Sequence, residues 1–304
     1  MIAALALLVG AVLAGGLAPA ALRRLDVRRR DPVPLIVAWL LSMAGVLLAT
    51  VAGIGLLFLP DHGLGGAMIT GAHGCWSAVR HGSPPRTEEL AGASGTLLTL
   101  AVAARFGFLG RREGRHRARV RAEHVAMLRL AARMDDTSPT TLWLAHDRPL
   151  AFSLAGRPGV VVATEGLARR LRADEVAAVL AHERAHLRGH HHVLVTIADV
   201  LGAVFSFLRL FGEAPVAMRE LVEIAADLVA VRSCGVDAVR SALAMGSDAV
   251  DVRLARLGRT AGTPNRVCRA FVCMVAGTVA VLLPFLAGVG LLLAVVTVTC
   301  PLTG

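Results

Sequence analysis

The amino-acid sequence predicts a mainly α-helical membrane protein with about four transmembrane helices and an α+β domain inserted before the last of them. Hydrophobic residues make up 55% of the 304-residue chain, which exceeds the roughly 45–50% of soluble domains. They form long apolar runs near both ends, whereas residues 110–265 mix helical patterns with short strand-like segments. The net charge of +10 comes from cations beside the apolar runs, which favours anionic lipid over nucleic acid as their partner.

Two long apolar runs open the chain, and a weaker one follows. Residues 1–22 are uncharged and precede a cluster of arginines, which favours a membrane span over a cleaved signal peptide. Residues 33–60 are long enough to cross a hydrocarbon core of about 30 Å. Residues 93–109 contain Arg105, which can snorkel from a helix end. Residues 1–109 are therefore predicted to form an N-terminal membrane domain with three transmembrane helices.

The last apolar run, residues 267–299, predicts a further span with Pro284 as the site of a kink. The loops after the first and third runs are rich in arginine, whereas residues 61–92 are nearly balanced in charge. The positive-inside rule therefore places the N-terminus outside and residues 110–265 in the cytoplasm. We expect a multi-pass protein of the cell membrane in which residues 266–304 form a C-terminal helix and a short tail.

The inserted segment has the pattern of a small sheet beside helices. Its strand-like runs are residues 141–145, 150–154 and 160–164. The last two runs are separated by Gly-Arg-Pro-Gly at residues 156–159, which is typical of a turn. The five cysteines of the chain are scattered without metal-ligand spacing, so we predict neither a disulfide framework nor a cysteine metal site.

A metal-binding motif lies on a predicted helix over residues 171–187, whose first turn contains two acidic residues. His182 and His186 are four residues apart, so both imidazoles project from one side of the helix, as two zinc ligands require. Glu183 follows the first histidine. It is placed to take a proton from a metal-bound water, whose pKa zinc lowers toward about 7.

A catalytic zinc usually has three protein ligands and an open position for water, so the pattern requires a third ligand. Glu223 is the preferred candidate, because Glu223 and Asp227 share one face of an apolar helix and two such carboxylates need a cation. His192 is the alternative, since the chain from His182 to His192 also fits the spacing H-E-x-x-H-x-x-G-x-x-H. We assign Asp227 to the catalytic site as a group that orients a ligand histidine through its free ring nitrogen.

The choice of Glu223 constrains the topology of the chain. Residues 193–211 are apolar apart from Asp199 and Arg209, and if they crossed the bilayer, Glu223 and His182 would face opposite compartments. Glu223 can therefore be a ligand only if this run is a non-spanning helix, buried or apposed to the membrane. The chain has no tyrosine, so another donor must stabilise an oxyanion, with Arg232 and His190 as candidates.

Two segments of the chain resemble a known group of enzymes. Residues 173–186, Ala-Asp-Glu-Val-Ala-Ala-Val-Leu-Ala-His-Glu-Arg-Ala-His, and residues 223–227, Glu-Ile-Ala-Ala-Asp, look like the gluzincin membrane proteases, and most like the BlaR/MecR type. That family has three spans, a cytoplasmic zinc protease domain and a fourth span, an order that matches nearly the whole chain. The resemblance implies a zincin-like metallopeptidase domain. The roles it implies are Zn²⁺ ligands at His182, His186 and Glu223 and a catalytic Glu183.

The chain also departs from its relatives. HtpX and CAAX proteases share both motifs, but HtpX has a transmembrane hairpin between them. Here 36 residues separate His186 from Glu223, too few for two spans of about 20 residues with their connections. The antibiotic sensors of the BlaR/MecR type carry a penicillin-binding domain after the last span, which these 304 residues lack. We therefore do not expect β-lactam sensing by that route.

The resemblance implies a membrane-embedded, zinc-dependent metalloendopeptidase with a cytoplasmic active site. Its implied protein partner is a BlaI/MecI-like transcriptional repressor, cleaved in a signalling pathway, and its other partner is the lipid bilayer. The alternatives are HtpX-like quality control of membrane proteins and a non-catalytic membrane scaffold. We expect a substrate peptide to bind along a sheet edge near the motif helix, at residues 159–164. No direct contact with nucleic acid is expected.

Overall fold

The computed structural model describes residues 2–26, 31–58, 132–135, 137–156, 158–244 and 266–299, with isolated positions between residues 104 and 128. In chain order its elements are α1 (Ile2–Asp26), α2 (Val33–Phe58), β1 (Ala132–Asp135), β2 (Thr141–Leu144), β3 (Ala151–Leu154), β4 (Val160–Thr164), α3 (Glu165–Arg170), α4 (Ala173–Arg188), α5 (His191–Val204), α6 (Arg209–Cys234), α7 (Val236–Ala244) and α8 (Arg266–Thr299).

Three of the described helices are long and apolar enough to cross a membrane, namely Ala4–Leu25 in α1, Val33–Leu56 in α2 and Val267–Leu291 in α8. They coincide with the first, second and last predicted spans. The predicted span at residues 93–109 lies almost entirely outside the described residues. The described part of the chain therefore contains the helices of a multi-pass membrane protein.

The chain forms two compact units, one of which combines the first part of α1 with the second parts of α2 and α8. Within it, α1 and α8 approach closely at glycines. A Cβ atom on Gly10 would lie 2.3 Å from the carbonyl oxygen of Pro284, and one on Gly288 would lie 2.7 Å from that of Ala6. Small residues allow such backbone contact between membrane helices, where packing drives association.

The second unit contains a mixed four-stranded sheet with the order β1-β2-β4-β3. β2 and β4 are parallel, whereas β1 and β3 each pair with a neighbour in the antiparallel direction. All five residues of β4, Val-Val-Val-Ala-Thr, are buried, as suits a β-branched run in the centre of a sheet. The predicted strands are confirmed within one residue at each end, and β1 is additional.

The sheet packs against the motif helix α4. Side chains alternate along a strand, so Val161 and Ala163 of β4 face the helix and form a buried cluster with Leu167 and Leu180. The opposite face of the sheet buries Leu142, Val160 and Val162. Apolar burial of this kind stabilises by about 25 cal/mol per Å², and it fixes α4 against the sheet.

The helix α4 begins two residues later than predicted, at Ala173. Leu171 has an extended backbone, with φ −110° and ψ 151°. The carboxylate of Glu175 accepts a hydrogen bond from the backbone N–H of Arg172 at 2.9 Å. This reverse cap fixes the start of the helix.

The apolar run predicted at residues 193–211 is divided between two helices. α5 has 14 residues and ends at Val204, and α6 begins at Arg209. At about 1.5 Å per residue α5 is about 21 Å long, which is shorter than a hydrocarbon core of about 30 Å. α5 is therefore too short to span a bilayer, as a shared site for His182 and Glu223 requires.

Candidate metal centre

The helices α4 and α6 bring together two imidazoles and a carboxylate. The Nε2 atoms of His182 and His186 are 3.0 Å apart. Glu223 has one carboxylate oxygen 3.4 Å from Nε2 of His182 and the other 3.5 Å from Nε2 of His186. Among the described residues, these three form the group whose ligand atoms are close enough to hold one metal ion.

The dimensions of this group fit zinc. Tetrahedral zinc with ligand bonds of about 2.0–2.1 Å places neighbouring ligand atoms about 3.3 Å apart. The observed separations run from 3.0 to 3.5 Å. Two histidines and one glutamate are also a donor set that leaves a fourth position for water. The residues present therefore fit a catalytic zinc site.

Asp227, one helical turn after Glu223 on α6, lies behind His182. Its Oδ1 atom is 2.9 Å from Nδ1 of His182, and its side chain is only 4% exposed. With the Nδ1–H of His182 donating to this carboxylate, the lone pair on Nε2 is directed at the shared position. Asp227 is thus positioned to fix both the tautomer and the orientation of the ring.

His191 makes the corresponding contact to His186, and it was not predicted. Its Nδ1 atom lies 3.1 Å from Nδ1 of His186, with the two rings edge-on and their centroids 4.9 Å apart. If the Nδ1–H of His186 donates to His191, Nε2 of His186 also presents a lone pair. The only sequence signal for this role is the run of three histidines that begins at residue 190.

The turn between α4 and α5 makes the His191 contact geometrically feasible. A Cβ atom on Gly189 would lie 2.3 Å from Nε2 of His191, so the glycine leaves room for that ring. His190 has φ 52°, a left-handed conformation that reverses the chain. Gly189, which is the glycine of the H-E-x-x-H-x-x-G-x-x-H spacing, thus makes room for the ring of His191.

The remaining sequence candidates are outside the three-residue group. His192 is exposed, and its ring stacks on that of His190 with centroids 6.2 Å apart. Neither His190 nor Arg232 is among the described residues that line the cavity beside His182. The geometry therefore favours Glu223 over His192 as the third ligand, and it supports neither oxyanion candidate.

A cavity of about 310 Å³ adjoins the group, and Glu183 lines it together with His182, Glu223 and Asp227. Burial raises the pKa of the Glu183 carboxyl, while the charge of His182 and a hydrogen bond with Ser153 oppose the shift. The rest of the lining is mostly apolar, including Leu150, Ala151, Val179, Val239 and Leu243. An apolar pocket with a few convergent polar groups is the common form of a ligand site.

The two carboxylates beside His182 favour a positive charge at this end of the group. Burial alone lowers the pKa of His182, but hydrogen bonds and charges from Asp227 and Glu223 raise it to about 9. Burial and the charge of His182 lower the pKa of His186 to about 4. The carboxylates thus stabilise a positive charge on His182, and a bound cation would meet the same demand.

The predicted peptide-binding edge at residues 159–164 is wrong. This segment is β4, which pairs with β2 on one side and with β3 on the other. A β-branched run flanked by turn residues predicts a strand but not its place in the sheet. The outer strand beside the cavity is β3, since Ala151 lines the cavity and Ser153 hydrogen-bonds to Glu183.

We expect Asp227→Asn to weaken zinc binding about 10- to 100-fold, because a neutral amide no longer holds His182 with a charged acceptor. The dissociation constant can be measured by chelator competition on the full-length protein in detergent. Asp199→Asn is the matched control, because the Asp199 side chain is 38% exposed and pairs with Arg219 on the surface. Unchanged affinity in Asp227→Asn would contradict the orienting role.

Comparison with known proteins supports a peptidase. Residues 115–248, less than half of the chain, match peptidase family M48. The chain is similar to the protease HtpX homolog of Gemmatimonas aurantiaca, with 36% identity over 86 residues, which are 28% of this chain and 31% of that protein. The chain thus spans about a third of the length of this curated relative. No solved structure matches the chain.

The family match includes the motif helix and the part of α6 that carries Glu223. Together with the three candidate spans, these similarities support a membrane zinc metallopeptidase. They do not confirm the BlaR/MecR type that the sequence resembled.

Proposed function

We propose that this chain is a membrane-embedded, zinc-dependent metalloendopeptidase. The observation that carries the proposal is the convergence of His182, His186 and Glu223 at separations that fit one zinc ion. A zinc ion bound there would supply a Lewis acid and lower the pKa of bound water. The similarity to peptidase family M48 supports the same reaction class.

Glu183 is the proposed general base and acid. Its carboxylate lines the cavity beside His182, where it takes a proton from the attacking water and returns that proton to the leaving amine. Burial raises the pKa of Glu183, which brings it closer to neutral pH, where a group both accepts and releases a proton efficiently. Asp227 and His191 hold the two imidazoles in the orientation that ligation needs.

We propose that the substrate peptide adds to the outer edge of β3. Main-chain hydrogen bonds to an edge strand bind an extended peptide without regard to its sequence, and adjacent pockets give selectivity. The cavity beside Glu183 is lined by Leu150, Val179 and Leu243. An apolar side chain near the cleaved bond fits this lining best.

The metal centre is proposed to face the cytoplasm. Arg23 and Arg24 end α1, and arginine-rich ends of spans favour the cytoplasmic side. Glu213 near the start of α6 bonds to Arg23 at 2.6 Å. This contact brings Glu213 of α6 to the arginine-rich end of α1.

Two substrate classes are proposed. A BlaI/MecI-like repressor rests on the resemblance of the metal-site motifs to the BlaR/MecR type. Damaged membrane proteins, as expected for an HtpX-like protease, are favoured by the similarity to the protease HtpX homolog. Both classes require the same chemistry at Glu183.

The proposed function predicts zinc-dependent activity in purified protein. We expect about one zinc per chain by elemental analysis of the full-length protein in detergent. Hydrolysis of a fluorogenic peptide library should cease with 1,10-phenanthroline and return on addition of zinc. The control protein carries both His182→Ala and His186→Ala, and it should neither bind zinc nor cleave the peptides. A wild-type protein that binds no stoichiometric zinc would instead indicate the non-catalytic scaffold.

A further inference from the structure

The connection between α5 and α6, residues 205–208, lies against the candidate span in α1. Carbon atoms of the Leu208 side chain are 3.5 to 3.9 Å from the position of a Cβ on Gly15, which is ordinary van der Waals contact. Gly15 is near the middle of the candidate span Ala4–Leu25. The tip of the α5–α6 hairpin therefore lies at the depth of the middle of that span.

A polar contact joins α1 and α6 farther along each helix, beyond Gly15 and Leu208. Glu213 accepts hydrogen bonds from Nε of Arg23 and from Nε of Arg209, each at 2.6 Å. Arg23 is about 12 Å beyond Gly15 along α1, and Glu213 is about 8 Å beyond Leu208 along α6. The two contacts occur in the same order on both helices, so α6 runs from the middle of the span toward its arginine-rich end.

The hairpin presents an exposed apolar face. Val193, Ile197 and Val200 on α5 are 40 to 43% exposed, and Phe207 at the tip is 78% exposed. The three residues of α5 follow a helical spacing that aligns them on one side. Exposed apolar side chains next to a membrane span fit lipid acyl chains, whereas their exposure to water would be unfavourable.

Part of the backbone at the tip is hydrogen-bonded within the protein. The N–H of Phe205 bonds to the carbonyl of Leu201 at 2.9 Å, and that of Leu208 bonds to the carbonyl of Phe205 at 2.9 Å. The N–H of Phe211 continues the series to the carbonyl of Leu208 at 3.0 Å. Backbone groups in a hydrocarbon core must be satisfied within the protein, and these internal bonds help meet that requirement.

We propose that α5 and the start of α6 form a re-entrant membrane hairpin whose tip, residues 205–208, lies among lipid acyl chains. α5 is too short to cross the bilayer, so the chain enters with α5 and returns to the same side with α6. Arg209 pairs with Glu213 and can extend its charged end toward the surface.

The hairpin also limits the distance between the metal centre and the membrane surface. His191 begins α5, about 20 Å from the end of that helix. Arg23 is about 12 Å along α1 from Gly15, the residue that the tip contacts. His191 therefore lies no more than about 10 Å beyond the arginine-rich end of α1, and it contacts His186 of the metal centre. If the proposed peptidase function holds, the metal centre reaches peptide bonds that lie close to the membrane surface. This consequence rests on the proposed function.

Spin labels on single cysteines test the hairpin without relying on peptidase activity. The labelled variants are Phe207→Cys and Val200→Cys, made in full-length protein whose five natural cysteines are replaced by serine. Met134→Cys is the matched control, since Met134 is 59% exposed on β1. The proteins are reconstituted in vesicles of phosphatidylcholine and phosphatidylglycerol, and collisions with oxygen and with a water-soluble nickel chelate are measured.

At Phe207→Cys and Val200→Cys we expect collisions with oxygen to exceed those with nickel severalfold, and at Met134→Cys the reverse. Nickel access at residue 207 equal to that at residue 134 overturns the hairpin. Low access of both reagents at residue 207 also overturns it, because a protein partner then covers the tip. Zinc content of the same samples reports folding. Lipid-exposed labels on a protein without peptidase activity would refute the proposed function alone.

Discussion

Glu183→Gln is expected to lower kcat/KM for peptide hydrolysis by about 10²- to 10⁴-fold, the usual contribution of a general base. Glutamine has nearly the same shape as glutamate, but its amide does not accept a proton from water. The zinc content should stay at the wild-type level, because Glu183 is not one of the three residues whose ligand atoms converge. The measurements are turnover of a fluorogenic peptide and elemental analysis of the same preparation.

The control for this substitution is Glu220→Gln, which changes an exposed carboxylate on α6 and should leave turnover unchanged. Cleavage by Glu183→Gln at the wild-type rate would mean that the observed hydrolysis does not use this carboxylate. The same pair of proteins identifies the substrate class in cells. Proteomics after induction should show fragments with the wild type alone, derived either from a repressor or from many membrane proteins.

Glu223→Ala is expected to empty the metal centre, with a loss of zinc affinity of more than about 100-fold. The reason is that even changes to residues behind the ligands cost about 10- to 100-fold, and this change removes a donor atom. The two remaining imidazoles do not complete a three-ligand site. Zinc retained after dialysis against a graded chelator gives the measurement.

His192→Ala is the matched comparison for Glu223→Ala. His192 is exposed beside His190, so its removal should leave zinc binding within experimental error of the wild type. If His192→Ala loses zinc and Glu223→Ala retains it, the longer histidine spacing describes the site and the assignment of Glu223 is wrong. If both variants lose zinc, the exposed position of His192 in the structure is not the one it has with metal.

Local sequence patterns predicted the candidate membrane spans and most of the strands. The apolar runs predicted α1, α2 and α8, whose described lengths and composition suit membrane spans. The alternation and turn residues before residue 165 predicted three of the four strands. These predictions succeed because hydrophobic period and turn chemistry act within a few residues of the chain.

The arrangement of those elements was less accessible. β4 was predicted as a sheet edge but is central, because strand order depends on pairing between distant segments. The contact between His186 and His191 was missed because it depends on the reversal at His190 and on the space left by Gly189. Neither feature has a period that sequence inspection can detect.

The spacing of His182 and His186 alone places both on one side of a helix with Glu183 beside them, since helical geometry fixes neighbours one turn apart. The return of Glu223 to these histidines depends on the tertiary structure, through a short α5 and the packing of α6 against α4. The contacts of Asp227 and His191 with the two rings depend on it as well. Contacts within one helical turn follow from the backbone alone, whereas contacts between helices follow from how their buried faces fit.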